Sequence, residues 1–199
     1  MKRLKTTVLL TMLICAPLSV MGDTATEYLI DDFKSPEGRS ALGSYWKLSS
    51  DRVMGGVSDG RAYMIPSAAA DDRYILKMVG EVRLENNGGF IQVRLPLRTE
   101  RRPFNAAEFQ GIALNVRGNG ERYYVHFRTT QSRRPWLYYY QAFTAPREWT
   151  RIELPFESFI GENTASEGFR TDRLVSVAVV AAKQRMSADI EVSRVSLYR

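Results

Sequence analysis

His126 is the only histidine in the chain of 199 residues, so any chemistry that needs an imidazole must run through it. A Ser-His-Asp triad would require a strained nucleophile turn, and no Gly-x-Ser-x-Gly run is present. His126 therefore reads as a polar residue on the outer side of a strand. Zinc chemistry needs clustered Cys and His ligands, and with Cys15 the sole cysteine a zinc site is excluded. Carboxylates pair in sequence at Asp31-Asp32, Asp71-Asp72 and Glu153/Glu157. Glycoside hydrolysis needs two acids facing each other across a cleft, and nothing in this spacing places them so. Asp31 and Asp32, with Asp189 or Glu191, would make an oxygen-rich cation site, but no calcium-loop spacing accompanies them. Gly118-Asn119-Gly120 lacks the third glycine and the following helix of a dinucleotide fingerprint. No catalytic residues, no metal and no cofactor are expected.

The elements that must position any site are strands. Phe90 to Leu97 alternates, with Ile91, Val93 and Leu95 on one side and Gln92 and Arg94 on the other. Gly111 to Gly118 sets Ile112, Leu114 and Val116 against Ala113, Asn115 and Arg117, and Tyr123 to Arg128 sets Tyr123, Val125 and Phe127 against Tyr124, His126 and Arg128. Period-two alternation of this length means half-buried strands. Gly118-Asn119-Gly120-Glu121 between two of them is predicted to be a hairpin turn. Leu137–Phe143, Trp149–Leu154 and Ile190–Tyr198 are further strands, and the apolar run Leu174–Ala182 predicts a strand covered on both faces. Turn residues every eight to twelve positions argue for a sandwich or jelly roll. The fold class is all-β.

If sequential strands pair as neighbours, Arg94, Asn115, Arg117, Tyr124, His126, Arg128, Tyr139 and Gln141 share one face with Gln92. Aromatics, amides and arginines together suit a glycan, whose ring faces stack and whose hydroxyls hydrogen-bond; the same mixture suits a protein partner. Tyr124→Ala or Tyr139→Ala is expected to abolish glycan binding. Trp46, Trp136 and Trp149 read as core or edge packing, with Trp136 the most exposed.

The first residues read as a leader. Met1 to Lys5 is basic, Thr6 to Val20 is apolar and uncharged, and Gly22 supplies a small residue, so residues 1–22 are expected to be a cleaved signal peptide and residues 23–199 one domain. The chain carries 28 basic and 22 acidic residues; losing Lys2, Arg3 and Lys5 with the leader leaves a net charge of +3. With the arginines dispersed, no nucleic-acid partner is expected, nor is stable membrane insertion of the mature chain. The mature protein is expected to be exported, periplasmic or secreted, and it retains no cysteine for a disulfide.

Two glycine-marked runs remain, Ser50-Asp51-Arg52-Val53-Met54-Gly55-Gly56-Val57-Ser58, a few residues after Trp46, and Asn86-Asn87-Gly88-Gly89-Phe90. Gly55-Gly56 permits a positive-φ turn that Asp51 and Ser58 can cap, with Met54 and Val57 tucked beneath. Asn87, Gly88 and Gly89 permit a similar reversal, and the two loops are expected to pack together into one rim. These runs, with Phe109-Gln110-Gly111-Ile112-Ala113-Leu114, Val116-Arg117-Gly118-Asn119-Gly120, Trp149-Thr150-Arg151-Ile152 and Pro155-Phe156-Glu157-Ser158-Phe159, resemble the complex I intermediate-associated protein 30 domain over nearly all of residues 28–199. The resemblance implies a galactose-binding-domain-like jelly roll, related in shape to carbohydrate-binding module family 11. It also implies a non-catalytic role: the eukaryotic members assist assembly of respiratory complex I in mitochondria, and the family has no established catalytic residues to carry over. An exported, non-catalytic protein-interaction module is thus the first expectation, and a carbohydrate-binding module is the alternative.

Overall fold

A computed structural model describes residues 27–68, 73–98, 102–163 and 168–199. The expected leader, Cys15 and the Asp71-Asp72 pair lie outside the described residues. Among the described residues twelve antiparallel strands form two six-stranded sheets. Sheet one runs β3 (Asp59–Pro66), β4 (Tyr74–Val82), β12 (Met186–Tyr198), β6 (Gly111–Gly118), β9 (Thr150–Pro155), with β1 (Tyr28–Asp31) on the far half of β12. Sheet two runs β10 (Ile160–Glu162), β8 (Tyr138–Thr144), β7 (Arg122–Thr129), β11 (Leu174–Ala182), β5 (Phe90–Pro96), β2 (Lys47–Ser50). Consecutive strands repeatedly switch sheets, which makes the architecture a jelly-roll β-sandwich.

The alternation read in β5, β6 and β7 sends Ile91, Leu95, Ile112, Leu114, Tyr123 and Phe127 into one buried core between the sheets. Nonpolar area removed from water on these inner faces is the main source of stability. β12 is long because it serves three partners: on one edge Met186–Val192 pairs with β4 and its end with β1, while Ile190–Tyr198 pairs with β6 on the other, with an irregularity between Val192 and Arg194.

Two expectations need correction. Gly118–Glu121 is not a hairpin turn, because β6 and β7 belong to opposite sheets. The segment crosses the end of the sandwich, with Gly120 at φ +86°. Tyr123 pins it: its hydroxyl donates to Asn119 Oδ1 (2.9 Å) and accepts from the Asp189 amide (2.8 Å). Gly118 and Gly120 donate to the Pro146 and Ala145 carbonyls (2.6 and 2.9 Å), contacts a two-strand hairpin would not make. Likewise β11 is buried on both sides, yet no layer covers its outer side; the aromatic side chains Phe90, Tyr124 and Tyr140 of neighbouring strands fold over it.

Candidate binding face

The outer side of sheet two is built in cross-strand rows. One row reads Lys47, Arg94, Ala178, His126, Tyr140, Ile160, from β2 across to β10. The next reads Ser49, Gln92, Val180, Tyr124, Ala142. The central strand β11 contributes the small or short side chains Ser176, Ala178, Val180 and Ala182 to this side, whereas β5 and β7 contribute long ones. Small residues between tall ones make a groove along β11, about 440 Å³ in volume. Its walls include Gln92, Arg94, His126 and Tyr138, and Glu162 and Lys183 stand at one side. Asn87, Gly88 and Gly89 form its lip.

The aromatic wall is packed on itself. His126 stacks on Tyr138 with ring centroids 4.2 Å apart and planes 11° apart, and Tyr124 meets Tyr140 edge to face at 6.0 Å. Lys183, held at φ +66°, sets its ammonium 3.7 Å over the Tyr140 ring and 2.9 Å from Glu162 Oε2. Burial works to lower the Lys183 pKa, but the Glu162 and Tyr140 contacts outweigh it and hold it above the usual lysine value. Opposite, Gln92 Nε2 donates to Ser49 Oγ (2.9 Å) and Arg94 donates to Gln92 Oε1 (3.0 Å).

His126 is pushed down to about 3, first by burial and then by the positive charges of Lys183 and Arg94. A ring neutral at any physiological pH offers one donor and one acceptor nitrogen, and its buried Nε2 has no hydrogen-bond partner among the described residues. Arg94 is also depressed, by burial and then by neighbouring Arg128. Among the described residues Glu162 is the one carboxylate lining the groove, and it is engaged by Lys183. A glycosidase pair of facing acids is not assembled here. The arrangement can stack, donate and accept hydrogen bonds, and attract negative charge.

The eight residues expected on one face divide three ways. Arg94, Tyr124, His126 and Arg128 do share the outer side of sheet two. Asn115 and Arg117 lie on the outer side of sheet one, because β6 does not neighbour β7. There Arg117 pairs with Glu191 and lies 5.0 Å over the Trp149 ring, beside a second hollow of about 410 Å³. Tyr139 and Gln141 point inward: Tyr139 is opposite Phe127, is 4 % exposed and packs on Phe169 at 4.8 Å. Tyr138 and Tyr140 take the outward places. Three consecutive tyrosines gave no contrast to set the phase, and polar Gln141 suggested the wrong one. Glu162 and Lys183 were missed because only the tertiary fold brings them to the groove.

The two glycine runs meet at Asp51, which is wholly buried. Its carboxylate accepts from the Ser58 amide (2.9 Å), the Ser58 hydroxyl (2.6 Å) and the Gly89 amide. Burial alone would raise its pKa, but hydrogen bonds from Ser58, Gly89 and Phe90 bring it below the usual carboxylate value. Gly55 takes φ +90°, and Asn86 donates to its carbonyl (3.1 Å), joining the loops as expected. A Cβ on Gly56 or Gly88 would collide with the Asp51 carboxyl group. Met54 does not tuck beneath: it is 59 % exposed, and Val53 is 77 % exposed. Trp46 lies further along, donating to buried Asp31 (2.7 Å) and stacking on Phe33. Asp31 thus serves Trp46 and the Phe33 amide, while Asp189 and Glu191 hold Lys77, so no shared cation site forms from these acids.

Among the described residues no helix is long and apolar enough to cross a membrane. A family model described as complex I intermediate-associated protein 30 matches residues 32–191. Comparison with curated proteins gives no match. Among solved structures, a family 11 carbohydrate-binding module of a cellulosomal cellulase of Clostridium thermocellum superposes with a TM-score of 0.67 at 14% identity, covering 87% of this chain and 95% of that one. A family 11 module from the same organism, in complex with a β-1,3-1,4-mixed-linked tetrasaccharide, gives 0.65 at 15% identity, covering 86% and 95%. A family 30 module of another cellulosomal cellulase of that organism gives 0.59 at 11% identity, covering 86% and 96%. At such identities the likeness is one of fold, a jelly-roll β-sandwich.

Proposed function

The chain belongs to the complex I intermediate-associated protein 30 family, and from that premise we propose that it is a non-catalytic binding module that holds a glycan in the groove along β11. The observation that carries this is the groove itself: a floor of Val180 and Ala182 between an aromatic wall of His126 and Tyr138, backed by Tyr124 and Tyr140, and a polar wall of Gln92 and Arg94. Concave sites with a few placed polar groups suit small ligands better than flat protein contacts. The shared fold with carbohydrate-binding modules, one of them seen with a tetrasaccharide, supports the same reading. These observations favour the glycan over the protein partner that ranked first on sequence. The basic, apolar, small-residue order of residues 1–22 supports action outside the cytoplasm.

The test is a glycan panel followed by calorimetry on residues 23–199. Binding to at least one glycan, weakened tenfold or more by Tyr138→Ala or Gln92→Ala with circular dichroism unchanged, supports the reading. A folded protein that binds no glycan overturns it. One observation favours a second reading, a protein partner: the exposed Val53 and Met54 stand on the turn next to the lip. Cross-linking that survives Tyr138→Ala but is lost in Val53→Ser/Met54→Ser would support that reading.

A further inference from the structure

We infer that the sugar held in this groove is acidic, carrying a carboxylate or sulfate that Arg94 receives with Gln92 and His126. The inference rests on the glycan reading and adds the ligand's chemical class.

The two outer faces of the sandwich treat charge differently. On sheet one, Lys77 pairs with Asp189 (3.2 Å) and Glu191 (3.1 Å), Arg117 pairs with Glu191, and Arg151 pairs with Glu27 (2.6 Å) and Glu153 (2.9 Å). That face is neutralised by its own ion pairs. On sheet two, neither Arg94 nor Arg128 has a carboxylate within 4 Å among the described residues, and Glu162 is engaged by Lys183. Arg128 spends its Nη2 on the carbonyls of Ser132 and Arg134, whereas half-buried Arg94 makes one hydrogen bond, to the Gln92 amide oxygen. A guanidinium has five N–H donors in a planar fork, suited to an oxyanion. Holding it partly out of water without a counter-ion is costly, and an anionic ligand removes that cost.

A second, independent observation points to the same place. His126, 7 % exposed, lines the groove with its Nε2 unpartnered. It stands in the same cross-strand row as Arg94, separated only by Ala178. Strands two places apart in a sheet are separated by roughly 10 Å, a span that admits one sugar ring, and both side chains line the groove whose floor is Val180 and Ala182. A ring lying there presents its acidic group to Arg94 and Gln92 and sets a hydroxyl beside the stacked His126 and Tyr138 rings that line the same groove.

Calorimetry on residues 23–199 would use an oligouronate, a sulfated oligosaccharide, a neutral β-glucan oligosaccharide of similar length, and oligoglutamate. The expected result is that at least one acidic sugar binds ten times or more tighter than the neutral one. The two acidic arms tell carboxylate from sulfate, and oligoglutamate is expected not to compete. Arg94→Gln should remove the preference and Arg94→Lys should restore it only partly. Independently of any variant, affinity for the acidic sugar should fall severalfold between about 0.05 and about 0.5 M salt. Neutral glucan bound as well as or better than both acidic sugars overturns this inference and leaves the glycan reading standing. Equal binding of oligoglutamate overturns it as mere charge attraction. Failure of every sugar to bind the folded protein overturns both.

Discussion

At Asp51 one carboxylate gathers donors from two loops that are far apart in sequence, and its worth lies in leaving none of them unsatisfied. Asp51→Ala strands two buried amides and leaves the Ser58 hydroxyl only its Arg83 backbone partners, at a cost of roughly 3–5 kcal/mol, readable as a drop in denaturant midpoint. Gly56→Ala and Gly88→Ala put a methyl group against the same carboxyl and should each cost about 1–3 kcal/mol through overpacking. His126 supplies a pH signature. Its folded-state pKa lies near 3, below the ordinary value of 6.5, so the unfolded chain binds a proton that the fold refuses. Stability from this residue is complete above about pH 6.5 and falls by about 1.4 kcal/mol per pH unit as pH drops toward 3. His126→Gln should flatten the stability profile between pH 6.5 and 4.5, as measured by chemical denaturation at each pH.

Alternation along β8 decides which tyrosine does what. Tyr138 and Tyr140 face outward, Tyr138 into the groove, while Tyr139 fills core space against Phe169 and Phe127. Tyr139→Ala is therefore expected to cost about 3–5 kcal/mol of stability, as large-to-small core changes do, and to act on binding only through unfolding. Tyr138→Ala should weaken ligand binding with a melting temperature changed far less. The alternation was legible in β5, β6 and β7, where apolar and polar residues take strict turns, and the inner faces lie as read. Strand partnership was not legible. Nothing local distinguishes a glycine-rich hairpin from a glycine-rich crossover, so Asn115 and Arg117 were assigned to the wrong sheet. The Asp51 rim could be read from the glycines and capping residues, but its buried carboxylate joining the two loops emerges only in the fold.

For the molecule as a whole, acid acts through several groups of opposite sense. Burial favours raising Glu191 and Glu27, but Arg117 and Lys77 hold the first, and Ser196, Arg151 and Arg194 the second, below the usual glutamate value. Their contribution is present above about pH 4.5 and lost as pH falls through their lowered values. Asp31 is shifted upward by burial, despite its bonds to Phe33 and Trp46, and so opposes that loss. Unfolding followed from neutral pH downward should therefore show a decline above pH 4.5 that depends on His126, then a steeper one below it that Glu191→Gln reduces. Either stretch failing to respond to its own variant would contradict this assignment.

The groove's lip is fastened by Asp51, whereas its floor and walls come from β5, β7, β8 and β11. None of the residues gripping Asp51 is among those proposed to meet the sugar. Inheritance can thus act on the two sets separately: drift at Arg94, Gln92 or Tyr138 would change the lining of the proposed groove without unravelling the scaffold, while drift at Gly56 or Gly88 would cost the scaffold itself. Membership of the family and the identity of any ligand are then written in different residues.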